Sequence, residues 1–422
     1  MITLRPYQET AVEALRAAYR AGRRAPLLQL ATSTGKTAVF CHIALSAVQR
    51  GKRVCILVHR QELLFQTSRM LKTLGVEHGL IAPGRLQSRD LVQVASVQTL
   101  VRRIADPKKR MGEIDLIVID ECHHAVAGAW GKVLAAWPKA KILSVTATPC
   151  RLDGKGLATV FDDLIQGPPV AEMIRLGYLV QPVVYAPPVA LDLTDVRSRG
   201  GDYVSEDLAA AMDRPAITGD AVTHYERLCP NVPAIVFCAS IDHARHVADE
   251  FARAGWRAAG IDGSMADGQR RGLIQALGNG GLHILTSCNI ISEGTDIPIV
   301  GAAILLRPTK SVALYLQQVG RALRPAPGKD KAIILDHVGN VLRHGLPDEE
   351  WAWFLDAGAK KTAKEIELRQ CPSCYAAHRP ARMCPECGHV YANDTEQREI
   401  AHEAGDLRQI TPEMMAERRA KA

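Results

Sequence analysis

Two adjacent carboxylates, Asp120 and Glu121, directly follow the apolar run Leu116–Ile119. An apolar run of this length indicates a buried strand, and ligands of open α/β sheets bind where such strands end. At that position one carboxylate can hold a divalent metal ion while the other activates a water molecule. The alternative is that the two acids only mark a solvated strand end. The other motifs in the chain decide between these interpretations.

The segment Thr34-Gly35-Lys36-Thr37 lies between a predicted strand and a predicted apolar helix. Backbone N–H groups at the start of such a helix can cradle phosphates. Lys36 would then reach the β- and γ-phosphates of ATP, and Thr37 would offer its hydroxyl to Mg²⁺. Together with the two carboxylates, the segment predicts an ATP site in which Asp120 holds Mg²⁺ and Glu121 orients or deprotonates the attacking water.

A third candidate is Gln317–Arg324, which carries Arg321 and Arg324. Two arginines three apart on a helix share a face and can point into one cleft. An arginine presented to a γ-phosphate stabilises charge in the transition state and is worth about 10³–10⁵ in rate. An ordinary basic surface helix is the alternative. Arginines supplied from a second lobe would make hydrolysis depend on lobe closure.

Near the C-terminus four cysteines form the pattern C-x₂-C-x₉-C-x₂-C, namely Cys371, Cys374, Cys384 and Cys387. Two such pairs with a short spacer are typical of a structural zinc ion held by four thiolates. Disulfides and an iron–sulfur cluster are the alternatives, and His378 and His389 are possible substitute ligands. A closed site of this kind folds its segment and does not catalyse.

Short apolar runs alternate with amphipathic stretches in both halves of the chain, which favours parallel sheets covered on both faces. In the first half the predicted strands are Leu27–Leu30, Val54–Val58, Leu91–Ala95, Asp115–Asp120 and Lys141–Val145. In the second half they are Ala234–Cys238, Ala258–Ile261, His283–Ser287, Ala302–Leu306 and Ala332–Asp336. The helix predicted over Asp242–Ala254 would end at Gly255. The fold class is therefore α/β, with two parallel-sheet lobes in tandem.

Breaks in this pattern divide the chain. We expect a first lobe over residues 1–180, a second lobe over 181–345, a polar, helix-prone connector over 346–370, the cysteine region over 371–392, and a charged helical tail over 393–422. The content of 47% hydrophobic and 23% charged residues is that of an ordinary globular protein.

The formal net charge of +7 permits nucleic-acid binding without establishing it. No run of 18 apolar residues is present, which argues against a membrane span. The N-terminus also lacks the layout of a secretory signal. We therefore expect a cytoplasmic protein without a membrane partner.

The ordered set of motifs resembles the superfamily 2 helicases and translocases of the DEAD/DEAH type. The matching segments are Leu4–Gln8, Thr34–Thr37, Val58–Leu63, Ser96–Leu100, Asp120–His123, Thr146–Pro149, Phe237–Ser240, Ser292–Pro298 and Gln317–Arg324. The resemblance implies two RecA-like lobes that hydrolyse ATP in the cleft between them. It also implies a catalytic set of Lys36, Glu121, Gln317, Arg321 and Arg324.

The same resemblance assigns further roles. Gln8 would read adenine with Arg5 and Tyr7 nearby, and Gly294 and Asp296 would approach the nucleotide from the second lobe. Coupling between the nucleotide and the lobe interface would involve His123, Thr146 and Thr148. The nucleic-acid backbone would be held by Arg60, Gln98, Thr99 and Ser240, although a solvated or capping role is the alternative for each of these four.

A closer resemblance, to RadD-type bacterial proteins, rests on Leu306–Tyr315, on Ala326–Lys329 and on a cysteine-pair module after the motor. It implies a DNA helicase or translocase in DNA repair or recombination, associated with the nucleoid of a bacterial or phage-infected cell. DNA is accordingly preferred over RNA as the partner. An RNA helicase, or an ATP-switched binding module without strand separation, is the alternative. Ser33 departs from the family, since it stands where motif I usually has glycine.

Overall fold

The computed structural model describes residues 3–106, 111–121, 128–150, 156–187, 193–212, 215–288, 290–291, 297–356, 358–361 and 368–391. The predicted coupling residue His123, the predicted nucleotide contacts Gly294 and Asp296, and the predicted tail over 393–422 lie outside these residues. Within the described part of the chain, no helix is long and apolar enough to span a membrane.

The first half of the described chain builds a parallel sheet. Its strands are Pro26–Gln29 (β1), Val54–Val58 (β2), His78–Ile81 (β3), Val92–Ser96 (β4), Leu116–Asp120 (β5), Lys141–Thr146 (β6) and Asp163–Gln166 (β7). Their spatial order is β3-β4-β2-β5-β6-β1-β7. β2 and β5 are buried along their whole length, because helices cover both faces of the sheet. Since β5, β6 and β1 are adjacent and parallel, the residues that follow them meet at one edge.

The helices of this half are Pro6–Arg20 (α1), Lys36–Val48 (α2), Gln61–Thr73 (α3), Val97–Ile104 (α4), Gly128–Ala136 (α5) and Val170–Arg175 (α6). α1 illustrates why they pack: its buried residues recur with helical spacing at Tyr7, Ala11, Val12, Leu15 and Ala18. That stripe packs on the core, and the start of α1 is thereby brought beside the loop after β1.

The second half begins with Gln181–Tyr185 (β8) and a hairpin of Ser198–Arg199 (β9) and Asp202–Tyr203 (β10). The strands that follow are Ala234–Phe237 (β11), Ala258–Ile261 (β12), Ile284–Ser287 (β13), Ala302–Leu305 (β14) and Lys331–Asp336 (β15). They form a second parallel sheet in the order β12-β13-β11-β14-β15-β8. Its helices are Ser205–Met212 (α7), Pro215–Leu228 (α8), Ile241–Arg253 (α9), Asp267–Gly278 (α10), Val312–Val319 (α11) and Asn340–His344 (α12).

The ten strands predicted from the sequence are all present, each within one residue at either end. The predicted helix over Asp242–Ala254 is α9, and Gly255 follows it at φ +90°, a left-handed conformation suited to glycine. The edge strands β3 and β7 were not predicted. Both have four residues, β3 alternates buried with half-buried positions and β7 has no fully buried residue, so the continuous apolar run that marks central strands is missing there.

The expectation of a helix-prone connector is wrong in its described part. Trp351–Phe354 (β16) and Gly358–Lys361 (β17) form an antiparallel hairpin instead. The hairpin returns to the first lobe, where the Trp353 N–H donates to the Gln166 side chain at 3.3 Å. Trp353 is buried at 5% exposure. Burial of this large apolar side chain favours the strand, although the polar residues around it suggest a helix.

The cysteine region extends the second sheet. Arg369–Gln370 (β18) and Ala376–His378 (β19) form an antiparallel pair, and β19 also pairs antiparallel with β8. A salt bridge from Lys331 to Glu386, with 3.0 Å between nitrogen and oxygen, joins the same two parts. The cysteine region is therefore fixed to the edge of the second lobe.

Candidate functional site

The loop after β1 has the geometry of a phosphate-binding loop. Gly35 precedes α2 at φ +84°, and a Cβ atom there would lie 2.5 Å from Gln8 Nε2. Glycine suits this position, because the left-handed conformation favours it and a side chain would push the Gln8 amide off the loop. The N-terminus of α2 consequently opens directly onto the cavity beside Lys36 and Thr37.

Lys36 is surrounded by charges of both signs. Burial lowers the pKa of its ammonium group, Glu121 and Asp120 raise it, and Arg321 and Arg324 lower it. The carboxylates come from the first lobe and the arginines come from the second. This placement brings the phosphate-binding lysine and both predicted arginines to one site, as the sequence predicts.

Asp120 ends β5 and is buried at 4% exposure, and Glu121 follows it at 7%. Glu121 adopts φ +55°, which is unusual for a residue other than glycine and typical of functional sites. The Thr146 hydroxyl donates to Glu121 Oε2 at 3.0 Å and accepts from the Thr148 N–H at 3.2 Å. Thr146 thus connects the candidate catalytic carboxylate to the segment that leaves β6.

The N-terminal residues pack on the phosphate loop. Tyr7 Oη and Gln8 Nε2 both donate to the carbonyl of Thr34, at 2.6 and 3.0 Å. Gln8 Oε1 accepts from the Arg5 N–H at 3.0 Å. The Gln8 amide therefore supports the loop, and its reading of adenine stays a prediction.

Tyr178, just after α6, is a cavity residue that the sequence did not reveal. The Arg5 guanidinium lies 4.7 Å from the centre of its ring, and the Tyr7 ring lies 5.0 Å away. The aromatic face and its cation form one wall of the cavity. Tyr178 lies about 170 positions from Arg5 in the chain, and no local pattern connects the two.

The second lobe supplies the opposite wall. Gln317, Arg321 and Arg324 line the same cavity, whose volume is about 370 Å³. The expectation that both arginines lie on a helix is wrong, because α11 ends at Val319 and the arginines follow in a turn. They still face one cleft, since the turn folds back on the loop after β1. Gln317 Nε2 is buried and has no hydrogen-bond partner among the described residues.

Two further contacts join the lobes. The Arg60 guanidinium donates to the Ile290 carbonyl at 3.1 Å. Arg270 forms a salt bridge with Glu62 at 3.1 Å, and both side chains are mostly buried. Glu62 lies in the first turn of α3 in the first lobe and Arg270 belongs to α10 in the second, so the described arrangement is a closed one.

The residues predicted to hold nucleic acid all follow strands at the carboxyl edges of the two sheets. Arg60 follows β2, Gln98 and Thr99 follow β4, and Ser240 follows β11. Gln98 is exposed and accepts a hydrogen bond from Ser96. Ser240 caps α9 by accepting from the His243 N–H at 3.0 Å. The structure thus gives Ser240 a capping role, and nucleic-acid contact by these four residues stays a prediction.

The four cysteine sulfurs lie within 4.8 Å of one another. Cys371 and Cys387 are 3.6 Å apart at their sulfurs, and Cys374 and Cys384 are 3.7 Å apart. A tetrahedral zinc site with Zn–S bonds of about 2.3 Å requires sulfurs about 3.8 Å apart. The separations fit zinc and exclude disulfide bonds within this cluster, whose S–S length would be about 2.05 Å.

The backbone around the cysteines is also preorganised. Each pair is followed by a left-handed residue, Tyr375 at φ +65° and Gly388 at φ +72°, which closes the two turns. His378 lies with Nε2 2.7 Å from Tyr391 Oη and Nδ1 2.7 Å from the Arg379 carbonyl. His378 is thus engaged elsewhere, and the four thiolates suffice as a zinc ligand set.

Two protein-family models match the chain. One is described as "Type III restriction enzyme, res subunit" and matches residues 1–151; the other is described as "Helicase conserved C-terminal domain" and matches residues 222–326. The first match contains the phosphate loop and both carboxylates, and the second contains both arginines. The chain belongs to the superfamily 2 helicases. It is accordingly an ATP-hydrolysing enzyme that acts on nucleic acid.

Individual proteins are also similar to this chain. This helicase is 31% identical over 383 residues to the "51.5 kDa protein" of a Lactococcus phage (isolate 7-9), covering 90% of this chain and 81% of the phage protein. It is 30% identical over 339 residues to the "Putative ATP-dependent helicase IRC3" of Saccharomyces cerevisiae, covering 75% of this chain and 49% of the yeast protein. The helicase therefore spans about half the length of that yeast relative.

A solved structure shares the fold. It is the fragment of "a putative HsdR subunit of a type I restriction enzyme from Vibrio vulnificus", with 21% identity and a TM-score of 0.65. The match covers 82% of this chain and 67% of the fragment. The prediction of two RecA-like lobes is confirmed, and the closer resemblance to RadD-type proteins stays a prediction.

The cavity of the helicase fits a magnesium nucleotide. Thr37 and Asp120 offer the oxygen ligands that Mg²⁺ prefers, and Lys36 with the two arginines offers positive charge to phosphates. Gln317, which lines this cavity, has its Nε2 atom buried without a hydrogen-bond partner among the described residues. Such an atom suits a site that a ligand or water completes. A bound Mg²⁺ would neutralise charge on the phosphates.

Replacing Glu121 by Gln retains the acceptor for the Thr146 hydroxyl but removes the charge that accepts a proton. We expect ATP hydrolysis to fall by about 10²–10⁴-fold, the usual contribution of a general base, while ATP binding persists. A steady-state ATPase assay and a fluorescent-nucleotide binding assay measure the two effects. Glu13→Gln, on the exposed face of α1, is the matched control. Wild-type turnover by Glu121→Gln would contradict the assignment.

Replacing Arg321 by Ala removes a cation that the second lobe supplies to the cavity. We expect about a 10³-fold lower rate of hydrolysis, with a much smaller effect on nucleotide affinity because Lys36 remains. The same two assays apply, with the exposed Arg16→Ala as control. A variant that loses ATP binding in proportion to its rate would show that Arg321 only binds the nucleotide.

We expect about one Zn²⁺ per chain, measured by elemental analysis, and loss of the metal in Cys374→Ser. Since β19 pairs with β8, loss of zinc should also lower the melting temperature of the second lobe. Cys150→Ser, at a half-buried cysteine outside the cluster, should retain zinc. Zinc-free wild-type protein, or an iron–sulfur absorption spectrum, would refute the prediction.

Proposed function

We propose that this helicase is a DNA-stimulated ATPase that moves along or unwinds DNA, with a role in DNA repair or recombination. The observation that carries the motor function is that Lys36, Asp120 and Glu121 face Arg321 and Arg324 across one cavity. The two groups come from different sheets. Hydrolysis would therefore require the lobes to close, which couples the chemistry to movement.

Within the closed cavity each residue would have a distinct task. Lys36, at the start of α2, would bind the β- and γ-phosphates. Glu121, held by the Thr146 hydroxyl, would take a proton from the attacking water. Arg321 and Arg324 would stabilise the charge that develops on the transferred phosphoryl group. Gln317, which lines the same wall, would position the water or the γ-phosphate.

Once the cleaved phosphate has left the cavity, less negative charge would face the arginines, and the second lobe would be held less tightly. Thr146 lies between Glu121 and the Thr148 N–H, so a change at the carboxylate reaches the segment after β6 directly. That segment borders the lobe interface, where Thr148 lines a second cavity together with Gly320. This chain of contacts supports Thr146 and Thr148 as coupling residues.

The nucleic-acid strand would lie along the carboxyl edges of both sheets, where Arg60, Gln98, Thr99 and Ser240 are found. Phosphate contacts of this kind position a strand without reading its sequence. The choice of DNA is supported by the restriction-enzyme family whose model matches the first lobe. It is also supported by the RadD-like segments of the second lobe. Nucleoid association in a bacterial or phage-infected cell follows from the same choice.

The experiment that tests the proposal is an ATPase assay with a panel of nucleic acids. We expect single-stranded or branched DNA to stimulate hydrolysis at least about tenfold, and stimulation to weaken as salt rises, since phosphate contacts release counterions. Glu121→Gln is the negative control. Stimulation by RNA alone would replace the DNA proposal with an RNA helicase.

A strand-displacement assay on the same DNA distinguishes unwinding from translocation. Displacement that requires ATP and is absent from Glu121→Gln would establish a helicase in the strict sense. Stimulated hydrolysis with neither displacement nor translocation would favour an ATP-switched binding module.

A further inference from the structure

Ser33 has an unusual backbone conformation for its residue type. It lies in the phosphate loop at φ +71°, in the left-handed region that favours glycine. A residue other than glycine persists there only where its surroundings compensate for the unfavourable conformation. Ser33 also stands at the position where the family motif usually has glycine, so the serine side chain requires an explanation.

The contact of that side chain crosses the lobe interface. Ser33 Oγ donates a hydrogen bond to the carbonyl of Gly320 at 2.6 Å. Gly320 is the C-cap residue of α11 and immediately precedes Arg321, which lines the nucleotide cavity. The bond therefore joins the phosphate loop of the first lobe to the backbone that carries an arginine of the second.

The two backbones are in close contact at this point. A Cβ atom on Gly320 would lie 2.6 Å from the Thr32 side chain and 2.8 Å from the Leu316 carbonyl. Gly320 must therefore be glycine for the lobes to approach this far. Because Gly320 has no side chain, its carbonyl stays accessible from the first lobe. The Ser33 hydroxyl can therefore reach this carbonyl and bond to it.

We propose that Ser33 is a positioning residue whose hydroxyl holds the second lobe against the phosphate loop before nucleic acid binds. Arg321 then lies at the cavity without help from a bound strand. This inference rests on the proposed function. Its consequence is that ATP hydrolysis in the absence of nucleic acid depends on Ser33. Hydrolysis at saturating DNA depends on it much less, because a strand that contacts both lobes closes them independently.

The competing explanation is that Ser33 only shapes the phosphate loop. Two variants distinguish this local role from the interlobe role. Ser33→Ala removes the hydroxyl but keeps a Cβ atom in the left-handed conformation. Ser33→Gly removes the hydroxyl and also relieves the unfavourable conformation. If the interlobe hydrogen bond controls hydrolysis, both variants should lower kcat without nucleic acid to the same extent. If strain in the loop controls it, the two variants should have different kcat values.

The test measures kcat and KM for ATP without nucleic acid and with saturating single-stranded DNA. We expect both variants to lower kcat without DNA by about 5–10-fold, the effect of one lost hydrogen bond. At saturating DNA kcat should return to within about twofold of wild type, while the DNA concentration for half-maximal stimulation rises by a similar 5–10-fold. Ser46→Ala, on α2 of the same lobe, is the matched control.

The inference is overturned if kcat without DNA is unchanged in both variants, or if it falls in Ser33→Ala alone. It is also overturned if kcat stays equally low at saturating DNA, since Ser33 would then act on the phosphate loop itself. A wild type that hydrolyses no ATP under any condition would refute the proposed function and this inference together. Inactive variants beside a DNA-stimulated wild type would refute the inference alone.

Discussion

The nucleotide cavity of this helicase exists only while two separate sheets touch. Lys36 and the carboxylates follow strands of the first sheet, and the arginines follow a helix that packs on the second. Gly320 lies so close to the loop after β1 that no Cβ atom fits between them, and the hydrogen bond from Ser33 to its carbonyl joins the two halves at this point. The charges around Lys36 depend on this closure, and so does the coupling of hydrolysis to movement.

The order of the parallel strands explains how the first lobe brings its site residues together with few side-chain contacts. β5, β6 and β1 are adjacent, so the residues that follow them reach one edge without long loops. Glu121 and Thr146 meet there across neighbouring strands, and their hydrogen bond forms at the point where β5 and β6 end. A single side-chain bond then links the candidate base to the lobe interface, since Thr146 also accepts from the next segment of chain.

The C-terminal residues connect the lobes a second time. The hairpin of β16 and β17 returns to the first lobe through Trp353, and the cysteine region then pairs with β8 of the second. An exposed strand edge invites unwanted pairing, and β19 covers the edge that β8 would otherwise present. The four-cysteine cluster therefore stabilises more than its own turns, because its fold fixes the strand that completes the second sheet.

The sequence by itself determined what depends on local pattern. Continuous apolar runs predicted the central strands, Gly35-Lys36-Thr37 predicted the phosphate loop, and the cysteine spacing predicted four convergent sulfurs. Tertiary structure alone decided which distant residues meet. Tyr178 beside Arg5, the strand at Trp353 and the turn that carries Arg321 all arise from contacts between segments far apart in the chain, which no local spacing encodes. The residue type at position 33 was visible in the sequence, but its partner across the interface was not, because that partner exists only when the lobes close.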